Sequence, residues 1–197
     1  MNNNLYSIKV EREALRCNEQ GKLSKLDHPE IFGDKNKNKF ITIGKEESQI
    51  KIATPVCKNV EDCYIKLEEI TDIVLETLKV RKELLWSTTS PCEGSNLNSV
   101  INVELTISEQ SFDSDLYEAI MKKLESLREF YGNINLEMND KRILVKNIEI
   151  DPYNRTGISK EYLMHLVLEI LSVIFNVSDL EKLNQKYSLK CKEGIKI

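Results

Sequence analysis

The sequence is poor in the residues that punctuate or staple a chain. Its 197 residues include only 7 glycines, 4 prolines and 2 histidines. So little glycine and proline leaves no room for a long turn-rich linker, and no internal repeat is visible. The 5 cysteines, Cys17, Cys57, Cys63, Cys92 and Cys191, form no C-x-x-C pair. Their odd number does not suit a disulfide framework, and His28 and His165 stand too far from any pair of them for a zinc site. No G-x-x-x-x-G-K-[ST] or G-x-G-x-x-G phosphate loop is present. A basic excess is missing too. The 28 Lys+Arg against 32 Asp+Glu give a net charge of −4, which argues against nucleic acid or an anionic membrane surface as a partner. The longest apolar run, around Leu166 to Phe175, is broken by Glu169 and Ser172, so no membrane span is expected. Met1-Asn2-Asn3-Asn4-Leu5 lacks the basic and apolar regions of a signal peptide. With the thiols taken as reduced, the expected compartment is the cytoplasm.

What is there is a soluble-protein pattern of alternating strands and helices. A chain of this length buries enough surface to fold as one domain without staples. The expected domain runs over residues 1–190, with residues 191–197 as a frayed tail. Ile8, Val10 and Ala14 alternate with Lys9, Glu11 and Glu13, a strand that continues to Cys17. Residues 40–54 hold a second strand, closed by Pro55. Asn59 is placed to cap a helix in which Val60, Cys63, Tyr64, Leu67, Ile70, Val74 and Leu78 make one stripe. Ile101, Val103, Leu105 and Ile107 form a half-buried strand. A helix from Ser114 runs through Leu127 to Tyr131, with Gly132 as its C′ residue. Two strands then flank Asn139-Asp140 as a hairpin. Ser159 caps a helix from Lys160 to about Phe175, apolar nearly all round, in which His165 reads as a core histidine. Ser178 and Glu181 form a capping box before a short last helix. The pattern predicts an α+β fold, a mainly antiparallel sheet with helices on one face.

Three stretches, in order, resemble the bacterial glutamate–cysteine ligases (γ-glutamylcysteine synthetases). The first is Val10-Glu11-Arg12-Glu13-Ala14-Leu15-Arg16, followed by Gly21-Lys22-Leu23 and His28-Pro29-Glu30-Ile31-Phe32-Gly33. It is similar to the family's G-[IL]-E-[RK]-E-x-L-R-V, G-x-L and H-P-x-x-x-G. The second runs from Phe40 to Pro55 and resembles I-T-T-D-F-[SA]-E-[SA]-x-x-E-[FL]-I-T-P. The Asn59 helix and Trp86-Ser87-Thr88-Thr89-Ser90-Pro91 follow it. The third runs from Ile143 to Tyr162, with Asp151-Pro152-Tyr153 and Gly157-Ile158-Ser159-Lys160-Glu161.

The resemblance implies a reduced form of the glutamate–cysteine ligase and glutamine synthetase-like fold. It also implies chemistry in which ATP activates a glutamate carboxylate as an acyl phosphate, with Mg²⁺ held by oxygen ligands. Glu11 and Glu13 match the family's paired metal-binding glutamates, and residues i and i+2 of a strand share a face. By the same alignment Glu47, Lys51, Asn102, Glu104 and Lys146 mark the remnant of the substrate and nucleotide cleft.

Several of these positions depart from the family. Its aspartate is Gly44 here, its strand glutamate is Lys51, its histidine is Asn102, and a glutamate and an arginine of the third block are Leu144 and Lys146. Leucine ligates no metal, and lysine lacks the bidentate fork of arginine. Lys51 and Lys146 are expected to stand beside Glu11 and Glu13 and neutralise them in place of a cation. The stretch between Ile107 and Lys141 is also far shorter than in the family.

Two readings follow. In the first the chain is a shortened relative without full ligase activity, a pseudoenzyme with no resident cofactor. It then binds a small amino-acid-like ligand or a protein partner. In the second it is an active ATP-dependent carboxylate–amine ligase, using Mg²⁺ and ATP, whose reduced site is completed by another subunit. Either reading allows a homo-oligomer or a second subunit on the sheet's open edges.

Overall fold

A computed structural model describes residues 5–34, 38–88, 92–108 and 113–175. The capping box at Ser178 and Glu181 and the tail at 191–197 lie outside these residues. Strand β1 is Tyr6–Asn18, β2 Ile41–Ile43 and β3 Gln49–Ala53; helix α1 is Val60–Val80. Then come β4 (Glu83–Leu85), β5 (Val100–Ile107), α2 (Ser114–Ser126), α3 (Arg128–Tyr131), β6 (Asn135–Asn139), β7 (Arg142–Glu149) and α4 (Lys160–Ile174). The strands form a seven-stranded sheet in the order β2-β3-β1-β5-β7-β6, with β4 paired to one end of β1. Every pairing between these strands is antiparallel. The fold is the expected α+β arrangement.

The long first strand sets the two faces. Tyr6, Ile8, Val10, Arg12 and Ala14 are buried, and the residues between them are half-buried. The register places Ile50 and Ile52 of β3 opposite Ala14 and Arg12, and Ile101 and Val103 of β5 opposite Arg12 and Val10. Because side chains alternate, one register puts the whole apolar set on one side. Helices α1, α2 and α4 cover that side, contributing Val60, Leu67, Val74, Ile120, Leu124, Leu163, Leu166 and Ile170 to a single core. Among the described residues no helix is long and apolar enough to cross a membrane.

Helix α1 begins where its cap requires. The Asn59 side chain accepts from the Asp62 backbone N–H at 2.8 Å, an interaction that contributes about 1 kcal/mol in such positions. Glu61 and Asp62 in its first turn oppose the helix dipole favourably. Ser159 caps α4 in the same way, accepting from Tyr162 N–H at 3.1 Å.

Some expectations are corrected. Residues 40–54 hold two strands, since the Ser48 and Glu46 region turns the chain back and β2 pairs with β3. The helix expected from Ser114 to Tyr131 breaks at Leu127 into α2 and α3, and its cap is Asp113, which accepts from Leu116 N–H at 2.9 Å. Strand β4 was not expected at all. His165 is not a core residue: its side chain is 47% exposed. Its Nδ1 lies 2.7 Å from the Tyr131 hydroxyl, and the two rings stack. The apolar stripe of α4 leaves the His165 side facing outward, so an apolar sequence around a histidine does not bury it.

Candidate functional site

The second face of the sheet carries the residues that the sequence singled out. Glu11 and Glu13 point there from β1, because the alternation that buries Val10 and Arg12 turns them the other way. Across the ladder, Lys51 lies directly opposite Glu13, Asn102 opposite Glu11, and Glu104 opposite Lys9. None of the described helices covers this part of the sheet. A cavity of about 410 Å³ lies over it, lined by Lys9, Glu11, Glu13, Lys51, Asn102 and Lys146, among others. A second cavity of about 510 Å³ adjoins it and shares Glu13, Lys45, Val100 and Asn147. Its remaining wall is rich in amides, with Asn96, Asn98, Asn133 and Asn135. One end is closed where Trp86 and Leu97 pack on Leu15, Cys17 and Cys92.

Lys51 is the centre of the charge arrangement. Its Nζ stands 3.0 Å from Glu13 Oε1 and 3.5 Å from Glu11 Oε1. Gln49 Nε2 donates to the other Glu13 oxygen at 3.2 Å, and Asn102 Nδ2 reaches Glu13 Oε1 at 3.5 Å. Partial burial acts to lower the Lys51 pKa, but the hydrogen bond it donates to Glu13 and the charges of Glu11 and Glu13 outweigh it and leave it raised. Lys146 behaves differently from expectation. It lines the cavity, but its Nζ pairs with Glu137 of β6 at 2.5 Å and leaves Glu11 and Glu13 to Lys51. Glu104 is paired with Arg142 at 3.3 Å. Leu144 also faces the cleft and brings no ligating atom.

Glu47 is not brought to this face. Its carboxylate accepts from the His28 backbone N–H at 2.9 Å, and its carbonyl accepts from buried Arg16 at 2.8 Å. It serves the loop that follows β1 and lines neither cavity.

Among the lining residues that escaped the sequence reading are Lys9, Lys45 and Asn147. The signal for Lys9 was present, since it shares the alternation of Glu11 and Glu13. Asn147 is placed by a bulge. Ile101 pairs with Ile148 but Val103 with Val145, so β7 carries one extra residue. Asn147 takes a positive φ of 61° there, and its backbone N–H donates to Asn102 Oδ1 at 3.1 Å. The Lys45 ammonium has no side-chain partner among the described residues and opens onto both cavities.

As placed, these residues do not fit the divalent cation that the resemblance implies. Mg²⁺ demands several oxygen ligands at about 2.0–2.1 Å. The two carboxylates best placed to provide them converge on an ammonium, which has no lone pair. Among the described residues no group of three or more His, Cys, Asp or Glu side chains is arranged to hold a metal ion.

Comparison with known proteins agrees with the fold and the motifs. The chain is 44% identical over 82 residues to the glutamate–cysteine ligase of Clostridium acetobutylicum, a match covering 42% of this chain and 17% of that one. It is 40% identical over 82 residues to a bifunctional glutathione-biosynthesis protein of Listeria welshimeri, covering 42% of this chain and 10% of that protein. The matched segment is thus less than a fifth of either relative. Among solved structures, a glutamate–cysteine ligase of Francisella tularensis superposes with a TM-score of 0.68 at 12% identity, over 91% of this chain and 70% of that one. A bifunctional glutathione synthetase of Pasteurella multocida gives 0.70 at 17% identity, over 87% and 38%. A Plasmodium falciparum glutamine synthetase gives 0.57 at 11%, over 87% and 52%. At these identities the likeness is one of fold. The glutamate–cysteine ligase family model matches residues 4–123, well over half of the chain, and with that match this protein belongs to the glutamate–cysteine ligase family.

Proposed function

We propose that this member of the family does not carry out the complete ligation and instead holds a small amino-acid-like molecule in the cleft on the open face of its sheet. The observation that carries the reading is the Glu11–Lys51–Glu13 cluster. The carboxylates on which a ligase would rely for a metal–nucleotide complex are occupied by a side chain of the protein itself.

The rest of the cleft supports a small polar ligand. A free amino acid presents an ammonium and a carboxylate a few ångströms apart, and it needs both signs of charge on one surface. Here Lys45, Glu13 and the Asn147 amide line both cavities, Lys9 lines one of them, and Glu149 and the Asn135 amide line the other. Charge-assisted hydrogen bonds to such groups are roughly twice as strong as neutral ones. The segment between β5 and β7 is short, supplying α2, α3 and β6, and it brings no glycine-rich loop for a triphosphate.

Calorimetry with L-glutamate, L-cysteine and Mg-ATP, each alone, tests the reading. The expected result is heat from an amino acid and none from Mg-ATP, with no ATP turnover when all are mixed. Turnover that depends on an amino acid and disappears in Glu11→Gln would establish the active, subunit-completed ligase instead. No heat from any of the three, with a co-purifying protein bound at the cleft face, would make that face a partner surface.

A further inference from the structure

We propose that Lys51 is a built-in counter-ion: its ammonium fills the place between Glu11 and Glu13 that a divalent cation would take, and this one side chain keeps the cleft metal-free. The inference concerns the same cleft as the proposed function and rests on that reading only for its use, since cation binding is measured without any organic ligand.

The geometry carries it in three steps. First, Glu11 and Glu13 are two apart on one strand, so their side chains leave the same face about 7 Å apart at the backbone. Two carboxylates in that relation repel, and something positive must stand between them. Second, the register places position 51 directly across from Glu13, on the neighbouring strand. A side chain there reaches Glu13 straight across and Glu11 on the diagonal, and Lys51 does both, at 3.0 and 3.5 Å. Third, the other groups that face this spot leave the division of charge unaltered. Asn102 and Gln49 are neutral donors to Glu13, while Lys9 and Lys45 add positive charge at the rim. A divalent ion entering the cluster must expel the Lys51 ammonium from two ion pairs or share its space, and both are unfavourable.

The same register makes position 51 a switch of cation preference. A carboxylate there would give three acidic side chains converging on one point. The pattern of hard oxygen donors would then suit a divalent cation.

The test is a titration of the full chain with Mn²⁺ alone, followed by the electron paramagnetic resonance signal of the free ion. The wild type is expected to bind no ion at the cleft up to about millimolar Mn²⁺, the weak end of protein cation sites. Lys51→Glu is expected to bind one ion per chain at least about tenfold more tightly, and adding Glu13→Gln should remove it. Lys51→Gln serves as a second variant that introduces no new charge. It frees the two carboxylates, so it should gain affinity in the same direction. Circular dichroism checks that each variant is folded. Wild-type Mn²⁺ binding that is lost in Glu13→Gln would overturn the proposal. So would a folded Lys51→Glu or Lys51→Gln with no gain over wild type.

Discussion

Arg16 and Glu83 form an ion pair closed off from water: Arg16 Nη1 lies 2.6 Å from Glu83 Oε1, and their side chains are 0% and 1% exposed. Around it, Arg16 Nη2 donates to the carbonyls of Leu26 and Glu47, both at 2.8 Å. Glu83 also accepts from Ser24 Oγ at 2.5 Å and from Arg81 Nε at 2.6 Å. One pair therefore joins β1, β4, the loop after β1 and the turn before β3. Removing the carboxylate leaves a buried guanidinium without its counter-charge, which typically costs about 3–5 kcal/mol. Glu83→Gln is expected to lower the unfolding free energy by that order in urea titrations. A loss below about 1 kcal/mol would mean that the pair is not held as described.

Arg12 gives the opposite expectation. It is fully buried among apolar side chains, and Nη1 donates to the Arg155 carbonyl at 2.5 Å. Its Nε and Nη2 have no hydrogen-bond partner among the described residues, and burial pushes its pKa down to about 10. A buried charge without a counter-ion is a burden on the fold, and apolar replacement of buried ions is often neutral or stabilising by about 1–4 kcal/mol. Arg12→Met should therefore unfold at the same urea concentration as wild type or a higher one. A marked drop would assign Arg12 a partner role comparable to that of Arg16.

The contrast between these two arginines shows where sequence reading stops. Both sit at even positions of β1, and alternation alone places them on the helix-covered face. What separates them is a partner from β4, and a three-residue strand leaves no periodic signal. The long elements were legible for the converse reason. Strand β5 repeats its pattern over eight residues and α1 repeats its stripe over six turns, so one face of each is unambiguous. In the site, Glu11, Glu13, Lys51 and Asn102 could be grouped because register follows from alternation. Glu47 could not be excluded, since it lies in the turn between β2 and β3, where no period operates. The Lys146–Glu137 pair depends on the register of the β6–β7 hairpin, and the pairing of β7 with β5 passes through a bulge.

That bulge yields a prediction. Asn147 holds a φ of 61°, a left-handed conformation that asparagine tolerates and β-branched residues do not. Asn147→Val is expected to cost about 1–3 kcal/mol. Asn147→Gly relieves the backbone but loses the side chain from the cleft, so its stability should stay within about 1 kcal/mol of wild type. Thermal unfolding of the two variants side by side checks this. Equal losses in both would show that the backbone conformation is not the cause.

Alkaline pH should destabilise the fold through its buried thiols. Burial pushes Cys63 from 9.0 up to about 12, against a hydrogen bond with Thr54 that acts the other way. Cys17 is likewise pushed from 9.0 up to about 12, by burial and by its hydrogen bond with Cys92. A raised pKa means that the folded state keeps a proton which the unfolded chain gives up. The contribution is thus complete below about pH 9 and is lost as pH rises toward about 12, with a slope of at most about 1.4 kcal/mol per pH unit for one thiol. Lys51 adds to the same trend from 10.5 upward, because its pKa is raised as well. Urea midpoints should therefore be level on the neutral side of about pH 9 and fall above it. The Cys17→Ala and Cys63→Ala double variant should show a shallower fall between pH 9 and 11 than wild type. Identical slopes in the two proteins would mean that these thiols ionise as freely in the folded chain as in the unfolded one.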